Sequence, residues 1–478
     1  MLDDPPAPPA IEAPDLPEGG IATRLATSIG STGYGVDPDE PDGTRYGWLR
    51  LGGLIAALVA LGIWNVWLLV VIVAILVMIT LHELGHYLTA KRAGMQVTEF
   101  FLGFGPRIWS VRRGETEYGI KVIPAGAYVK IPGMVNLDEV PPEDEARTYR
   151  QKSFGSRVSV AVAGSAMHFM LALVLLYISL VFIGQPGGSM AAAATSPKPV
   201  VERVVTGSGA DKADLQPGDE IRSIDGKPTP TGTALRKIVG PKAGDTVKVT
   251  YIRDGVAGTA VIPLGAYTFT DDDGTRAKGC GLGVVLESPA KQKVGPVEGL
   301  VKAPQEFADV FWISMKGLGS FFSPSGISSF GSQVGSAHED RTQVKQTEHQ
   351  EETDPCAARA AAAASGSTGA TGQNRILSLY GLVNLGSDVG GTDPGALVGL
   401  FALINIFIGM FNLIPLLPFD GGHVAIAVYE NIQERRLKRR RYFADVSRLL
   451  PLTYGVVVLL GLLFISSLYL DVVNPIGG

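Results

Sequence analysis

The chain has 478 residues, 46% of them hydrophobic, with a mean hydropathy of +0.22 and a formal net charge of −5. That is too apolar, and too unevenly so, for a soluble protein of this size, and the mild negative charge argues against nucleic acid as a partner. Two cysteines, Cys280 and Cys356, make neither a disulfide framework nor a CxxC metal site, and they read as free thiols.

Residues 1–46 are rich in Pro, Gly and Asp. They lack a basic stretch followed by an apolar core, so they carry no cleavable signal peptide. They hold too little apolar surface to offset their ordering entropy, which predicts a disordered tail. From Leu51 to Leu81 no residue is charged. As one helix this run would be roughly 46 Å long, against a hydrocarbon core of about 30 Å. Two spans turning near Trp64-Asn65 fit better, an extra one over 47–63 and a core span running through the histidines to Ala90. One long tilted helix is the alternative.

Lys91, Arg92, Arg107, Arg112 and Arg113 follow, which places that side in the cytoplasm. Thr116–Met134 alternates and is punctuated by Gly and Pro, as in a short hairpin or re-entrant loop. Val158–Ile183 is the next span, exiting on the opposite side. Residues 195–288 turn soluble and strand-rich. There TVKVTYI places Val247, Val249 and Tyr251 on one face, and Arg253-Asp254-Gly255 turns the chain into AVIPL.

Residues 289–330 contain an amphipathic stretch that suits a membrane surface or an ordinary packed helix equally. The polar run 331–373 reads as a flexible insertion. Leu397–Phe419 is a further span, followed by the basic ENIQERRLKRRRYF. That cluster sets topology and could also meet anionic lipid head groups. Leu452–Leu470 is the last span. The expected fold is a polytopic α-helical membrane protein with four core helices, one extra N-terminal span and an inserted soluble domain on the outer side.

The chemistry concentrates in His82-Glu83-Leu84-Gly85-His86. On a helix, positions i and i+4 share a face, so both imidazoles can hold one Zn²⁺, with Glu83 beside them as general base. Ionisable groups at membrane depth are costly and usually functional. A catalytic zinc site needs a third protein ligand, and the soluble-protease extension of this motif is absent. Asp420 is the acidic residue adjoining the third core span, in Asn412-x-x-Pro415-x-x-Pro418-x-Asp420-Gly421-Gly422. Its two prolines would break the helix there and free backbone groups at a protein-lined cavity.

These two motifs together resemble the site-2 protease family of intramembrane zinc metalloproteases, in its bacterial branch with a single extracytoplasmic PDZ domain. The resemblance covers most of residues 64–478 and includes FFLGFGPRIWSVRRGETEYGIKVIPAGAYVKIPGM. It implies zinc on His82, His86 and Asp420, with Glu83 as acid and base. It implies that Asn412, with Pro415, Pro418, Gly421 and Gly422 of the same motif, lies where substrate is held. It also implies a membrane-associated β element over residues 119–134 that pairs with an unwound substrate. The family's G-x-x-x-N motif here ends in histidine, as Gly164-Ser-Ala-Met-His168; Gly164 and His168 are candidates to stand behind the ligands, with His168 either facing the zinc cavity or packing within the bundle. GADKADLQPGDEIRSIDGKPT is similar to a PDZ segment, which implies that an extended peptide binds there. The implied activity is cleavage of single-pass transmembrane segments, of anti-sigma factors or remnant signal peptides, in the plasma membrane. Two other classes remain at this point. A non-catalytic PDZ membrane scaffold would not need Glu83 and Asp420, and a zinc transporter would more often show internal repeats, of which there are none.

Overall fold

The computed structural model describes residues 47–134, 140–186, 198–270, 276–287, 291–335, 356, 377–438 and 441–473. The expected disordered tail and most of the 331–373 insertion lie outside the described residues.

The long apolar run breaks at Asn65. Helix α1 spans Gly47–Trp64 and helix α2 spans Val66–Arg92. Asn65 leaves helical geometry, and its side chain accepts the Leu68 amide at 2.9 Å. That cap satisfies one of the open donors at the head of α2. Its amide nitrogen donates to Ser387 Oγ at 3.1 Å, so the break is also a tertiary contact. Two helices therefore replace the single tilted one. Lys91 and Arg92 close α2, where cations suit the negative end of a helix.

Strands β1 (Glu99–Arg113) and β2 (Thr116–Lys130) follow. The sequence reading placed a hairpin only from Thr116 onward, and the element is about twice as long. Gly103 and Gly105 hold positive φ, +90° and +82°, and these bends hide the alternation that marks a strand. The ladder folds back on itself, so that Phe101 stands opposite both Gly119 and Tyr128. Glu115, in the turn, binds Lys91 at the end of α2 and Arg147. Burial opposes ionisation of Glu115, but the two cations outweigh it and hold its carboxyl below the usual range. The tether is therefore present at neutral pH and weakens as the pH falls through that lowered value.

Helix α3 (Phe154–Ile178) continues as a wider turn to Ile183. It packs on α2 where both surfaces are smallest. A methyl group at Gly85 would stand 2.7 Å from Ala163 O and 2.6 Å from Met167 Cγ, so only glycine lets the helices approach this closely.

The soluble module runs from β3 (Val201–Val204) through β4 (Glu220–Ile224), helix α4 (Gly232–Val239), β5 (Thr246–Arg253), β6 (Val256–Pro263), β7 (Ala266–Thr270) and β8 (Arg276–Cys280) to β9 (Val284–Leu286). As expected, Val247 and Val249 are buried, Tyr251 packs on the same core, and β5 and β6 form a hairpin. Its two-residue turn, Asp254-Gly255, has positive φ at both positions, the geometry that matches strand twist. The free-thiol reading of the cysteines is corrected. Cys280 and Cys356 are bonded to each other, with Cα atoms 5.1 Å apart across a sequence separation of 76. A lone distant pair carries no spacing signal from which pairing can be read.

Helix α5 (Pro296–Phe321) carries the amphipathic stretch. Ala303 and Val310 pack with Leu176, Leu180 and Ile406 in one core, so the packed-helix reading holds for that face. Its other face exposes Val297, Leu300, Val301 and Trp312. Helix α6 (Leu379–Thr392), not anticipated from sequence, lies on α2, with Gly386 against Val71 and Gly390 against Trp67. Helix α7 (Pro394–Asn412), helix α8 (Asp420–Leu437) and helix α9 (Leu450–Val473) complete the chain. Among the described residues, five helices are long and apolar enough to cross a membrane: α1, α2, α3 with its continuation, α7 and α9. The two basic loops adjoin, because Arg441 donates to the carbonyls of Gln151 (2.6 Å) and Lys152 (3.0 Å).

One buried ion pair ties α3 to α8. Arg157 and Glu430, 4% and 1% exposed at the side chain, bind each other, and Glu430 also accepts the Ala444 amide at 2.7 Å. Replacing Arg157 alone with Met removes the cation that faces a buried carboxylate and should cost about 3–5 kcal/mol. The double variant Arg157→Met/Glu430→Met should lose clearly less. Thermal unfolding of the purified proteins in detergent distinguishes the two outcomes.

Candidate metal centre

The late turns of α2 bring His82 and His86 onto one face. Their Nε2 atoms lie 3.1 Å apart. Asp420, the first residue of α8, places Oδ2 3.3 Å from each of them. The three ligand atoms form a nearly equilateral triangle. Tetrahedral ligands around zinc, with bonds of about 2.0–2.1 Å, stand roughly 3.3–3.4 Å apart. The donor set and its spacing therefore fit zinc. Among the described residues this is the one group of three that could hold a metal ion.

His82 and His86 are buried, 8% and 4% exposed. His86 Nδ1 lies 2.7 Å from Val160 O. A carbonyl can only accept, so Nδ1 carries the proton and Nε2 presents its lone pair to the metal position. The corresponding Nδ1 of His82 is buried with no hydrogen-bond partner, and so is Asp420 Oδ2. A carboxylate oxygen facing two imidazole nitrogens, with no other partner, is a donor set that a divalent cation satisfies.

The loop before Asp420 explains how a distant residue reaches the histidines. Helix α7 ends at Asn412, and residues Leu413–Phe419 turn back through tight backbone bonds, Leu416 to Ile414 O at 2.7 Å and Phe419 to Leu416 O at 3.0 Å. Pro415 and Pro418 sit exposed on this turn, and Leu417–Pro418 is cis. The expectation for Gly421 and Gly422 is revised. A side chain at Gly421 would strike the Leu413 and Ile414 carbonyls, and one at Gly422 would stand 2.7 Å from the Leu417 amide. Both glycines are covered by the chain's own loop, so they let Asp420 start a helix against that loop and offer no surface to substrate. Asn412 is half-buried at the end of α7, and its side chain makes no hydrogen bond among the described residues.

Glu83 is half-buried between the two histidines, with its carboxylate toward the Val129 amide of β2. The β2 edge therefore borders the site. Gly164 lies on α3 directly against the ligands. Its Cα leaves no room for a methyl, which would stand 2.5 Å from Nε2 of both His82 and His86. His168, one turn further along α3, is buried, and its ring lies 5.0 Å from that of His82. The sequence reading missed two neighbours. Asn405 holds His168 Nδ1 at 2.8 Å, and Val129 offers its backbone. Asn405 had a signal, as a lone amide inside the apolar run of α7, whereas a backbone amide has none.

The model of peptidase family M50 matches residues 70–453, which include both motifs. The zinc metalloprotease Rip1 of Mycolicibacterium smegmatis is 31% identical over 431 residues, covering 84% of this chain and 96% of that protein. Rip1 of Mycobacterium tuberculosis is 29% identical over 425 residues, with the same coverage. The regulator of sigma-E protease RseP of Salmonella typhimurium is 35% identical over 188 residues, 38% of each chain. A PDZ domain of an SdrC-like protein from Listeria monocytogenes is similar at 29% identity over 19% of this chain and 86% of that one, with a TM-score of 0.15.

Gly164→Ala tests the fit without touching a ligand. The added methyl should push the imidazoles apart and reduce bound zinc at least tenfold. Metal content of the purified variant against wild type measures this, with unfolding temperature as the control for a general packing defect.

Proposed function

The chain belongs to peptidase family M50, and on that premise we propose that His82, His86 and Asp420 hold its catalytic zinc while Glu83 acts as general base and acid. It is a zinc-dependent metalloendopeptidase and a multi-pass membrane protein. The observation that carries the residue assignment is the meeting of the two motifs. Three ligand atoms from positions more than three hundred residues apart lie within 4.8 Å of one another.

Bound zinc supplies a Lewis acid that polarises the scissile carbonyl and makes water nucleophilic near neutral pH. Glu83 takes a proton from the attacking water and later delivers one to the leaving amine nitrogen. The peptide bond of a helical substrate is shielded by its own hydrogen bonds, so the substrate must unwind. The Ala127–Lys130 end of β2 pairs with Glu99–Leu102, and at Val129 its edge borders Glu83. That edge supports a role in adding the unwound substrate as a strand. Asn412, with a free amide beside the kinked loop, holds the same strand, and Pro415 and Pro418 keep the loop open next to it.

The chain crosses the membrane five times, with both basic loops in the cytoplasm and the soluble module outside. The positive-inside rule supports this orientation, and so does the Cys280–Cys356 bond, since disulfides persist in oxidising compartments. The module acts as a PDZ domain that takes extended peptides and admits substrates already trimmed outside. Among the described residues its strand β9 pairs with β3 alone, which supports strand addition at the other edge. The substrates are single-pass membrane proteins, anti-sigma factors or remnant signal peptides, cut in regulated intramembrane proteolysis.

Wild type should hold about one zinc per chain in detergent. His86→Ala and Asp420→Ala should lose it. Glu83→Gln should keep it and lose cleavage of a single-pass substrate by at least a hundredfold. Retention of full zinc by Asp420→Ala would remove the third ligand, and turnover by Glu83→Gln would remove the base.

A further inference from the structure

The structure leaves two ring nitrogens without partners beside the metal centre, and they are complementary. The first is His82 Nδ1, buried with no hydrogen bond. If His82 presents Nε2 to the metal, Nδ1 carries the proton and needs an acceptor. The second is His168 Nε2. His168 is 2% exposed, and its Nδ1 lies 2.8 Å from Asn405 Oδ1. The orientation of that amide is fixed independently, because Asn405 Nδ2 donates to Phe401 O at 2.7 Å and lies 2.7 Å from Met78 Sδ. Turning the amide over would set two carbonyl oxygens against each other. Asn405 Oδ1 therefore accepts, His168 Nδ1 is the donor, and the neutral ring keeps a bare lone pair on Nε2. No bond from that nitrogen forms among the described residues.

The two rings are 5.0 Å apart between centroids, tilted by 45°. Imidazoles joined by an N–H···N bond of about 2.9 Å stand roughly 5 Å apart.

We propose that His82, His168 and Asn405 form a hydrogen-bonded relay running from the metal ligand on α2 through α3 to α7, in which His82 Nδ1–H donates to His168 Nε2 and His168 Nδ1–H donates to Asn405 Oδ1. His168 is then a positioning residue. It fixes the tautomer and ring angle of His82, as Val160 O does for His86. The inference rests on the zinc assignment above. It assigns to this chain's own residues a support that no other side chain among the described residues provides, and it explains why the apolar face of α7 carries an amide.

The test is zinc affinity of the full-length protein in detergent, by competition with a chromophoric chelator, together with the visible spectrum of the Co²⁺-substituted protein. His168→Phe keeps a buried aromatic ring and removes the acceptor, and it should weaken zinc 10–100-fold. His168→Asn retains an acceptor oxygen and should recover part of that loss. Asn405→Leu leaves His168 in place but frees its tautomer, and it should fall between wild type and His168→Phe. Since the relay leaves His168 off the metal, the Co²⁺ band of His168→Asn should stay near wild type. Wild-type affinity in a folded His168→Phe would overturn the relay while leaving the zinc assignment intact. A Co²⁺ spectrum that loses a nitrogen ligand in His168→Asn would overturn it too, by making His168 a direct ligand. Absence of zinc from folded wild type would overturn both.

Discussion

Two imidazoles and a carboxylate, with ligand atoms 3.1–3.3 Å apart inside an apolar helix bundle, are the constraint on which the rest of the structure depends. Each of these groups would rather be in water, and burying it without a partner costs several kcal/mol. The bundle must bring them together and keep them aligned until an ion completes the set. It does so with small residues. Gly85 lets α2 approach α3, Gly164 clears the space in front of both Nε2 atoms, and Gly421 and Gly422 let α8 begin against the loop that precedes it. Glycine is expensive in a helix, by about 0.5–1 kcal/mol each relative to Ala. In hydrocarbon that expense is offset by close packing, which is the main attraction left between helices once the solvent is as apolar as they are.

The third ligand arrives on a helix that the first two never touch in sequence, so its placement needs separate anchors. At one end α8 is held by the folded-back loop from Asn412. Ten residues on, it is held by Arg157 on α3 through Glu430. A buried ion pair adds little net stability, because desolvation consumes most of the attraction. What it adds is selectivity of position. With both charges buried, sliding α8 along α3 would separate them, so the register that pairs them is also the one that sets Asp420 opposite the histidines.

Much of this was legible in the chain. His82, Glu83 and His86 carry their spacing within one turn, and Asp420 stands beside two prolines at the end of an apolar run, where a charge has no other business. The apolar helices follow from hydropathy, and the α1–α2 break was readable because one helix over the whole run would far exceed the hydrocarbon thickness. What was not legible depends on tertiary packing. The first half of the β hairpin is masked by Gly103 and Gly105, whose bends erase the period-2 signal. The bond between Cys280 and Cys356 spans 76 residues with no motif. Gly421 and Gly422 read as part of a substrate motif because glycines look alike in one dimension, and the neighbouring carbonyls show that a side chain there would strike the chain's own loop. Asn405 was visible as an isolated amide, but its partner His168 is on another helix.

The position of the metal centre along α2 constrains how the two halves of the molecule cooperate. His82 is the seventeenth residue of that helix, so it lies roughly 24 Å from the helix start and about 15 Å from its basic end. Water therefore has a short route to Glu83 from the side that carries Lys91, Arg92 and the hairpin, and a long apolar one from the other side. The hairpin is tethered to the near end through Glu115, where it can shape both water entry and the substrate strand. The soluble module joins the bundle at the opposite ends of α3 and α5. In the orientation proposed above, any control it exerts acts on the substrate before its helix enters, by size or by holding a terminus. A defect in the module should therefore alter which substrates are cut while leaving zinc affinity and Glu83 chemistry as they are.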